Sequence, residues 1–331
     1  MAMSADPKPE PIRHVASVKV VAVRGRSMEL RDDVVVGEAP LEIRAAGPGQ
    51  PPVAVAVTMR TPGHEDELAV GFLATEGLLD GARVEAVASG DPAHLSQPDD
   101  TVIVRLSRSF SMKGAERRHF VATASCGICG KATIDEVVVR CDPVPPGAPI
   151  VKREVILALP DRLRASQATF ERTGGLHAAG LFAPDGTLVE IREDVGRHNA
   201  LDKVIGSQVL AGALPLNDRV LMVSGRVSFE IVQKAAAAGI PIVCAVSAPS
   251  TLAIEAAERL GVTLIGFLRN DGFNVYTHDG RIDLQDLRDE AAREIPPPVN
   301  RVVAPFPSRS VRAGASPRAG ATPRAGAPPR A

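Results

Sequence analysis

The chain has no tryptophan and a single tyrosine, Tyr276, in 331 residues. Platforms that stack single-stranded nucleic acid are built from aromatic side chains, so that function starts without its principal residues. Cysteine is scarce too. Four cysteines cannot make the disulfide framework of a small secreted protein, and a reduced, cytoplasmic setting is expected. No apolar run is long enough to span a bilayer, and no apolar segment follows Met1–Lys8 to act as a signal. Beyond Glu294 there is no acidic residue, whereas Arg301, Arg309, Arg312, Arg318, Arg324 and Arg330 lie there. The remainder carries 32 basic against 39 acidic residues, which is not the balance of a nucleic-acid binder.

What is present suggests about two domains' worth of globular chain. Residues 1–14 are Pro-rich and polar and read as disordered. Residues 15–115 read as a smaller α+β region. Val53–Val57 and Thr101–Leu106 have strand character, and Thr61-Pro62 has the form of an N-cap followed by Pro at the first helical position. The helix placed after it carries Leu68, Phe72 and Leu79 toward a core. Residues 116–150 hold a Cys-x-x-Cys loop and a Pro-rich joint.

Residues 151–285 read as a layered α/β domain. A helix is expected over Val155–Arg172, with Pro160 a point of interruption. Strands Leu176–Ala183 and Thr187–Arg192 follow, joined by a Pro184-Asp-Gly hairpin signal, and then a helix over His198–Leu210. Strands Val220–Ser224, Ile242–Val246 and Thr263–Leu268 alternate with helices Val227–Ala238 and Ser250–Leu260, the pattern of parallel strands buried on both faces. Residues 296–331 form a disordered tail whose Arg-Ala-Gly-Ala-x-Pro repeat cannot bury a core. A dispensable extension is a simpler reading of that tail than a basic tether.

Three places can carry chemistry. The first is Ser125-Cys126-Gly-Ile-Cys129-Gly130, whose glycines suggest a mobile loop. Arg117, Arg118, His119 and Lys131 make its surroundings positive, which favours the thiolate. Spacing alone leaves several meanings open: a zinc site with His119 and Cys141, a redox dithiol, a persulfide carrier, or an inert pair. The second is Glu193-Asp-Val-Gly-Arg197-His198-Asn199 at a helix start, where Asp202 could orient the His198 imidazole. A solvated helix face is the plain alternative. The third is a set of polar loops at successive strand ends: Ser224-Gly225-Arg226, Ser247–Thr251 and Phe267–Gly272. In open α/β sheets that edge binds ligands, and Arg226 can fork onto phosphate. Turn chemistry accounts for any one of the loops equally well.

Together these motifs, with Thr61-Pro62, Gly71-Phe-Leu73, Glu76-Gly77, Ala200-Leu-Asp-Lys203, Ala245–Ala248 and Val275–His278, resemble the formate dehydrogenase accessory sulfurtransferases, FdhD, over residues 17–285. The resemblance displaces zinc as the first reading of the cysteines. It implies a cytidine-deaminase-like fold in the second region, although the deaminase zinc signature is absent and Ala200 stands where its Glu would be. It also implies sulfur transfer as a persulfide, from a cysteine desulfurase to the bis(guanine dinucleotide) form of the molybdenum cofactor, required for formate dehydrogenase activity. Cys126 would carry the sulfur and Cys129 would assist. Phe267, Leu268, Arg269, Asn270, Asp271 and Gly272 would contact the cofactor, with Ser224, Arg226, Arg197 and His198 beside them. No resident metal, membrane or nucleic-acid partner is expected, and homodimerisation is an expectation of the resemblance alone. The competing class is a cofactor-binding chaperone whose cysteine pair is structural, zinc-bound or a redox dithiol.

Overall fold

The computed structural model describes residues 14–90, 100–111, 121–122, 143–144, 147–269 and 271–294. The described residues up to Leu284 form one compact unit, and those from Gln285 onward belong to a second. In the first unit the chain runs β1 (Val15–Arg24), β2 (Ser27–Val36), β3 (Ala39–Ala46), β4 (Val53–Arg60), α1 (Glu65–Thr75), β5 (Val84–Ser89), β6 (Thr101–Leu106), β7 (Val121–Ala122) and β8 (Val151–Lys152). It continues α2 (Arg153–Ala165), α3 (Ala168–Thr173), β9 (His177–Phe182), β10 (Leu188–Asp194), α4 (Arg197–Leu210), β11 (Val220–Val223) and α5 (Phe229–Ala237). It closes with β12 (Ile242–Ala245), α6 (Thr251–Leu260), β13 (Thr263–Arg269), β14 (Gly272–Thr277) and β15 (Ile282–Asp283). The described part of the second unit is helix α7 (Gln285–Glu294), in which Gln285 donates to Asp289.

The larger sheet has the order β10-β9-β11-β12-β13-β14. Its centre, β11-β12-β13, is parallel, and the flanking strands are antiparallel. Every residue of β11 and β12 is buried, because helices cover both faces. Leu201, Val204, Ile231, Val232 and Leu260 pack on one face, while Ile156, Leu159 and Leu163 of α2 pack on the other. This is the layered α/β arrangement that the alternating β-branched runs imply. The antiparallel ends come from the β9–β10 hairpin, turned at Gly186 (φ 81), and from β14, for which the sequence offered no separate signal. Pro160 does not interrupt α2. The chain breaks instead at Ser166-Gln167, where Gln167 takes ψ 70.

The N-terminal region folds into a second sheet, β5-β6-β3-β4-β7, covered by α1. That helix begins at Glu65, after His64 at φ 60, and not at Thr61-Pro62. Three acids in its first turn, Glu65, Asp66 and Glu67, complement the helix dipole. Thr61, 4% exposed, is recruited elsewhere: its N–H donates to Asp194 Oδ2 at 3.1 Å and its hydroxyl accepts from Val195 N at 3.1 Å. Leu79 lies beyond the end of α1 yet still packs on this core. β1 and β2 pair only with each other among the described residues.

α1 crosses α4 with the two backbones in direct contact. A Cβ on Gly71 would lie 1.8 Å from the Asp202 carbonyl oxygen, and one on Gly206 would lie 1.8 Å from that of Glu67. Arg192 of β10 adds a two-pronged bridge to α1, with Nε 2.5 Å and Nη2 2.7 Å from the Glu67 carboxylate. Burial alone would raise the Glu67 pKa, but hydrogen bonds from Arg192 and His64 outweigh it and hold it at about 2. A carboxyl depressed in the fold stabilises above its unfolded pKa, 4.5, and loses that contribution as pH falls toward its folded value. Stability should therefore decline between pH 4.5 and about 2, and Glu67→Gln should flatten that part of the profile in urea titrations at stepped pH.

Candidate functional site

The carboxyl ends of the parallel strands deliver three loops that are hydrogen-bonded side by side. Val227 N donates to Ala248 O at 3.2 Å and Ser250 N to Val227 O at 3.0 Å, which ties the loop after β11 to the loop after β12. Phe267 N donates to Ser247 O at 3.2 Å, adding the β13–β14 turn. The loops after β11 and β12 each lead into a helix with serine at the N-cap position. Ser228 precedes α5, and Ser250 precedes α6 and accepts from Ala253 N at 3.2 Å. The starts of α5 and α6 thus lie at this edge, where the helix dipole favours an anion.

The first loop is built for close approach. Ser224 Oγ accepts from Ala178 N at 2.9 Å, which fixes the hydroxyl at the end of β11. A Cβ on Gly225 would lie 3.2 Å from His177 Nδ1 and 3.6 Å from Arg197 Cδ, so His177 and Arg197 flank this glycine. Arg226 is exposed. Arg197 is half-buried, and its Nε is buried without a hydrogen-bond partner, an unpaired donor of a kind that native structures rarely keep without reason. Burial, then the charges of Arg197 and His198, push the His177 imidazole below its usual pKa, so it is neutral at pH 7.

His198 is held by residues that the sequence motif did not point to. Its Nε2 lies 3.1 Å from Ser228 Oγ and 3.2 Å from Glu230 Oε2, and Ser228 donates to Glu230 at 2.9 Å. With its own proton given to Glu230, the Ser228 oxygen is left to accept from His198 Nε2. Asp202 does not orient this imidazole. It is 2% exposed and accepts from Lys234 Nζ at 2.8 and 3.0 Å and from Thr75 Oγ1 at 2.8 Å. The helical spacing of His198 and Asp202 is real, but a buried lysine from α5 claims the carboxylate first.

The rest of the second motif is structural. Asp194, 0% exposed, pairs with Lys203 Nζ at 2.7 Å and accepts from Gly196 N at 2.8 Å and Asn199 Nδ2 at 3.1 Å. Lys203 also donates to Thr61 O, and Asn199 to Met59 O. These bonds hold the start of α4 against the N-terminal sheet and so aim Arg197 and His198 at the strand ends.

Phe267 is 44% exposed and sits at φ 53, in a bulge between Gly266 and Arg269 that turns the chain outward. Leu268 points the other way into the core, at 0% exposure. Arg269 and Asp271 are exposed and Gly272 is half-buried; Asn270 lies outside the described residues. The structure thus brings Ser224, Arg197 and His198 together, joins Phe267 to them through Ser247, and leaves Arg226 and Arg269 exposed. His177, Ser228 and Glu230 were not singled out from sequence. A glycine pair before His177 and a serine before an apolar helix are too common to have marked them.

Cys126 and Cys129, with Arg117, Arg118, His119, Lys131 and Cys141, lie outside the described residues. Cys244 is wholly buried in β12, and burial pushes its thiol far above the usual range. It cannot supply a thiolate at neutral pH, and any sulfur chemistry must use the other cysteines.

The FdhD/NarQ family model matches residues 36–283. The sulfur carrier protein FdhD of Streptomyces avermitilis is 46% identical over 275 residues, spanning 81% of this chain and 95% of that one. Its namesake in Sulfurisphaera tokodaii is 42% identical over 269 residues, spanning 81% and 99%. A crystal structure from Desulfotalea psychrophila, provisionally named a formate dehydrogenase accessory protein, superposes with a TM-score of 0.60 at 24% identity, covering 81% of this chain and 99% of that one.

Proposed function

From this chain's membership of the FdhD/NarQ family, we propose that it is a sulfur carrier acting as a sulfurtransferase, with Cys126 as the persulfide-bearing residue. The observation that carries the reading is the 46% identity, over 81% of the chain, to a protein named a sulfur carrier. The donor is the persulfide of a cysteine desulfurase. The Cys126 thiolate attacks its outer sulfur, forms a new S–S bond and releases the desulfurase thiolate, so the sulfane sulfur moves without net redox. The acceptor is the molybdenum cofactor in its bis(guanine dinucleotide) form, bound as substrate, and the recipient of the finished cofactor is formate dehydrogenase in the cytoplasm.

Release as sulfide requires two electrons. Attack of the Cys129 thiolate on Cys126 breaks the outer S–S bond, expels sulfide and leaves a Cys126–Cys129 disulfide, which a cellular thiol must then reduce. The strand-end loops supply what an anionic dinucleotide needs. The helix starts after Ser228 and Ser250 and the exposed cations Arg226 and Arg269 suit phosphate, Arg197 has a donor to give, and the exposed Phe267 ring suits an aromatic group.

Incubation with a desulfurase and cysteine, followed by peptide mass analysis without reductant, should show one added sulfur on the Cys126 peptide. Cys126→Ala should abolish that loading and the restoration of formate dehydrogenase activity. If Cys126→Ala restored that activity fully, the protein would instead be a cofactor-holding chaperone.

A further inference from the structure

Helix α4 is fastened to the far end of β4 by two buried side chains. Thr58 and Asn199 are 5% and 8% exposed. The Thr58 hydroxyl donates to Asn199 Oδ1 at 3.3 Å, the shorter of its two contacts, with Met59 O at 3.4 Å. Asn199 Nδ2 in turn donates to Met59 O at 2.8 Å and to Asp194 Oδ1 at 3.1 Å. One turn further along α4, Lys203 donates to Thr61 O at 2.9 Å. Residues 58, 59 and 61 therefore all receive the start of the helix that carries Arg197 and His198.

The outer edge of the same strand is taken by β7. The two strands run parallel, with Val57 opposite Val121 and Thr58 opposite Ala122. Being parallel, β7 heads toward Met59 and Arg60, the end that α4 holds. Cys126 follows Ala122 by four residues. An extended chain spans at most about 3.6 Å per residue, so Cys126 is tethered within roughly 14 Å of Ala122. Thr58 thus serves two neighbours: its backbone lies beside the strand that leads to the cysteines, and its side chain holds the helix turn of Arg197 and His198.

We propose that Thr58 and Asn199 are positioning residues for sulfur hand-over, because their hydrogen bond fixes the base of the cysteine-bearing segment against the turn that carries Arg197 and His198. The proposal rests on the sulfur-carrier reading above and adds the residues that set the distance from carrier to acceptor. The bonds that form and break are those of sulfide release by Cys129, and the clamp contributes placement alone. Loading requires only that Cys126 meet a desulfurase in solution. Hand-over to a bound acceptor is intramolecular, so its rate follows the effective concentration that the tether and its anchor set. A misplacement of about 1 Å can cost on the order of a hundredfold in such a step.

Thr58→Val keeps the side-chain shape and removes the hydroxyl. The full chain is incubated with a desulfurase and cysteine, and loading of the Cys126 peptide is read by mass. Formate dehydrogenase activity is measured in cells that lack a sulfur carrier of their own. Thr58→Val should load as the wild type does and restore about tenfold less activity, the loss expected of a partly misplaced carrier. A general loss of fold would not split the two readouts. Thr58→Ser, which returns the hydroxyl, should recover the activity. If Thr58→Val lowers the thermal midpoint, both assays are repeated well below it, and the split should persist. Full activity in Thr58→Val, or equal loss of loading and activity, would overturn the positioning role and leave the sulfur-carrier reading standing. Wild-type protein that takes up no sulfur, or that loads it and restores no activity, would overturn that reading and this role with it.

Discussion

Gly206→Ala should leave little native protein. The added methyl would sit 1.8 Å from the Glu67 carbonyl oxygen and 2.8 Å from Gly71 N, and all of these atoms are helix backbone. No rotamer change relieves such a clash, so α1 and α4 must move apart and open the buried interface around them. Overpacking of a core usually costs about 1–3 kcal/mol when side chains can yield, and here they cannot, so the upper end is the minimum. Gly71→Ala, 1.8 Å from Asp202 O, should behave the same way. Gly280→Ala is the control, because nothing lies within 4 Å of its added Cβ. Urea denaturation of the three variants decides the matter: near-equal midpoints would show that the helices are not in the contact described.

Lys234→Met should cost about 3–5 kcal/mol, the usual penalty for stranding a buried charge. The Lys234 ammonium reaches Asp202 at 2.8 Å, Glu76 at 3.3 Å and Thr75 Oγ1 at 2.9 Å, with the Phe72 ring 5.3 Å away. Burial works against its charge, but Asp202 and Glu76 outweigh burial and raise its pKa. Removing the cation alone leaves Asp202 buried and uncompensated between α1, α4 and α5. Combining Lys234→Met with Asp202→Leu removes the deeper carboxylate as well and should recover most of the loss. Guanidinium melts of the two singles and the double test this, and simple additivity would mean the groups are not coupled.

The second half of the fold was open to sequence reasoning because its signals are local and agree with one another. β-branched runs at Val220, Ile242 and Thr263 mark strands buried on both faces, and Pro184-Asp-Gly marks the hairpin. The N-terminal region was harder. Thr61 has the chemistry of an N-cap, but a carboxylate far along the chain, Asp194, takes its N–H and so decides its role. The same physics misled at Asp202: a helix-face neighbour at the right spacing lost to Lys234, which no local pattern could bring to it. Within the site, the strand-end loops could be read from where polar residues follow apolar strands. His177, Ser228 and Glu230 could not, since each acts through a partner supplied by tertiary packing.

Phe267 has a consequence for anyone who would make this protein tougher. A left-handed backbone at a residue with a side chain costs roughly 1–2 kcal/mol, and this one also spends an aromatic ring on solvent. Glycine would remove both liabilities. Directed evolution for heat resistance alone should therefore drift toward glycine here and remove the ring that the proposed cofactor site uses. In a screen that scores only thermal survival, the most rewarding position on this edge is also the one where the reward is deceptive.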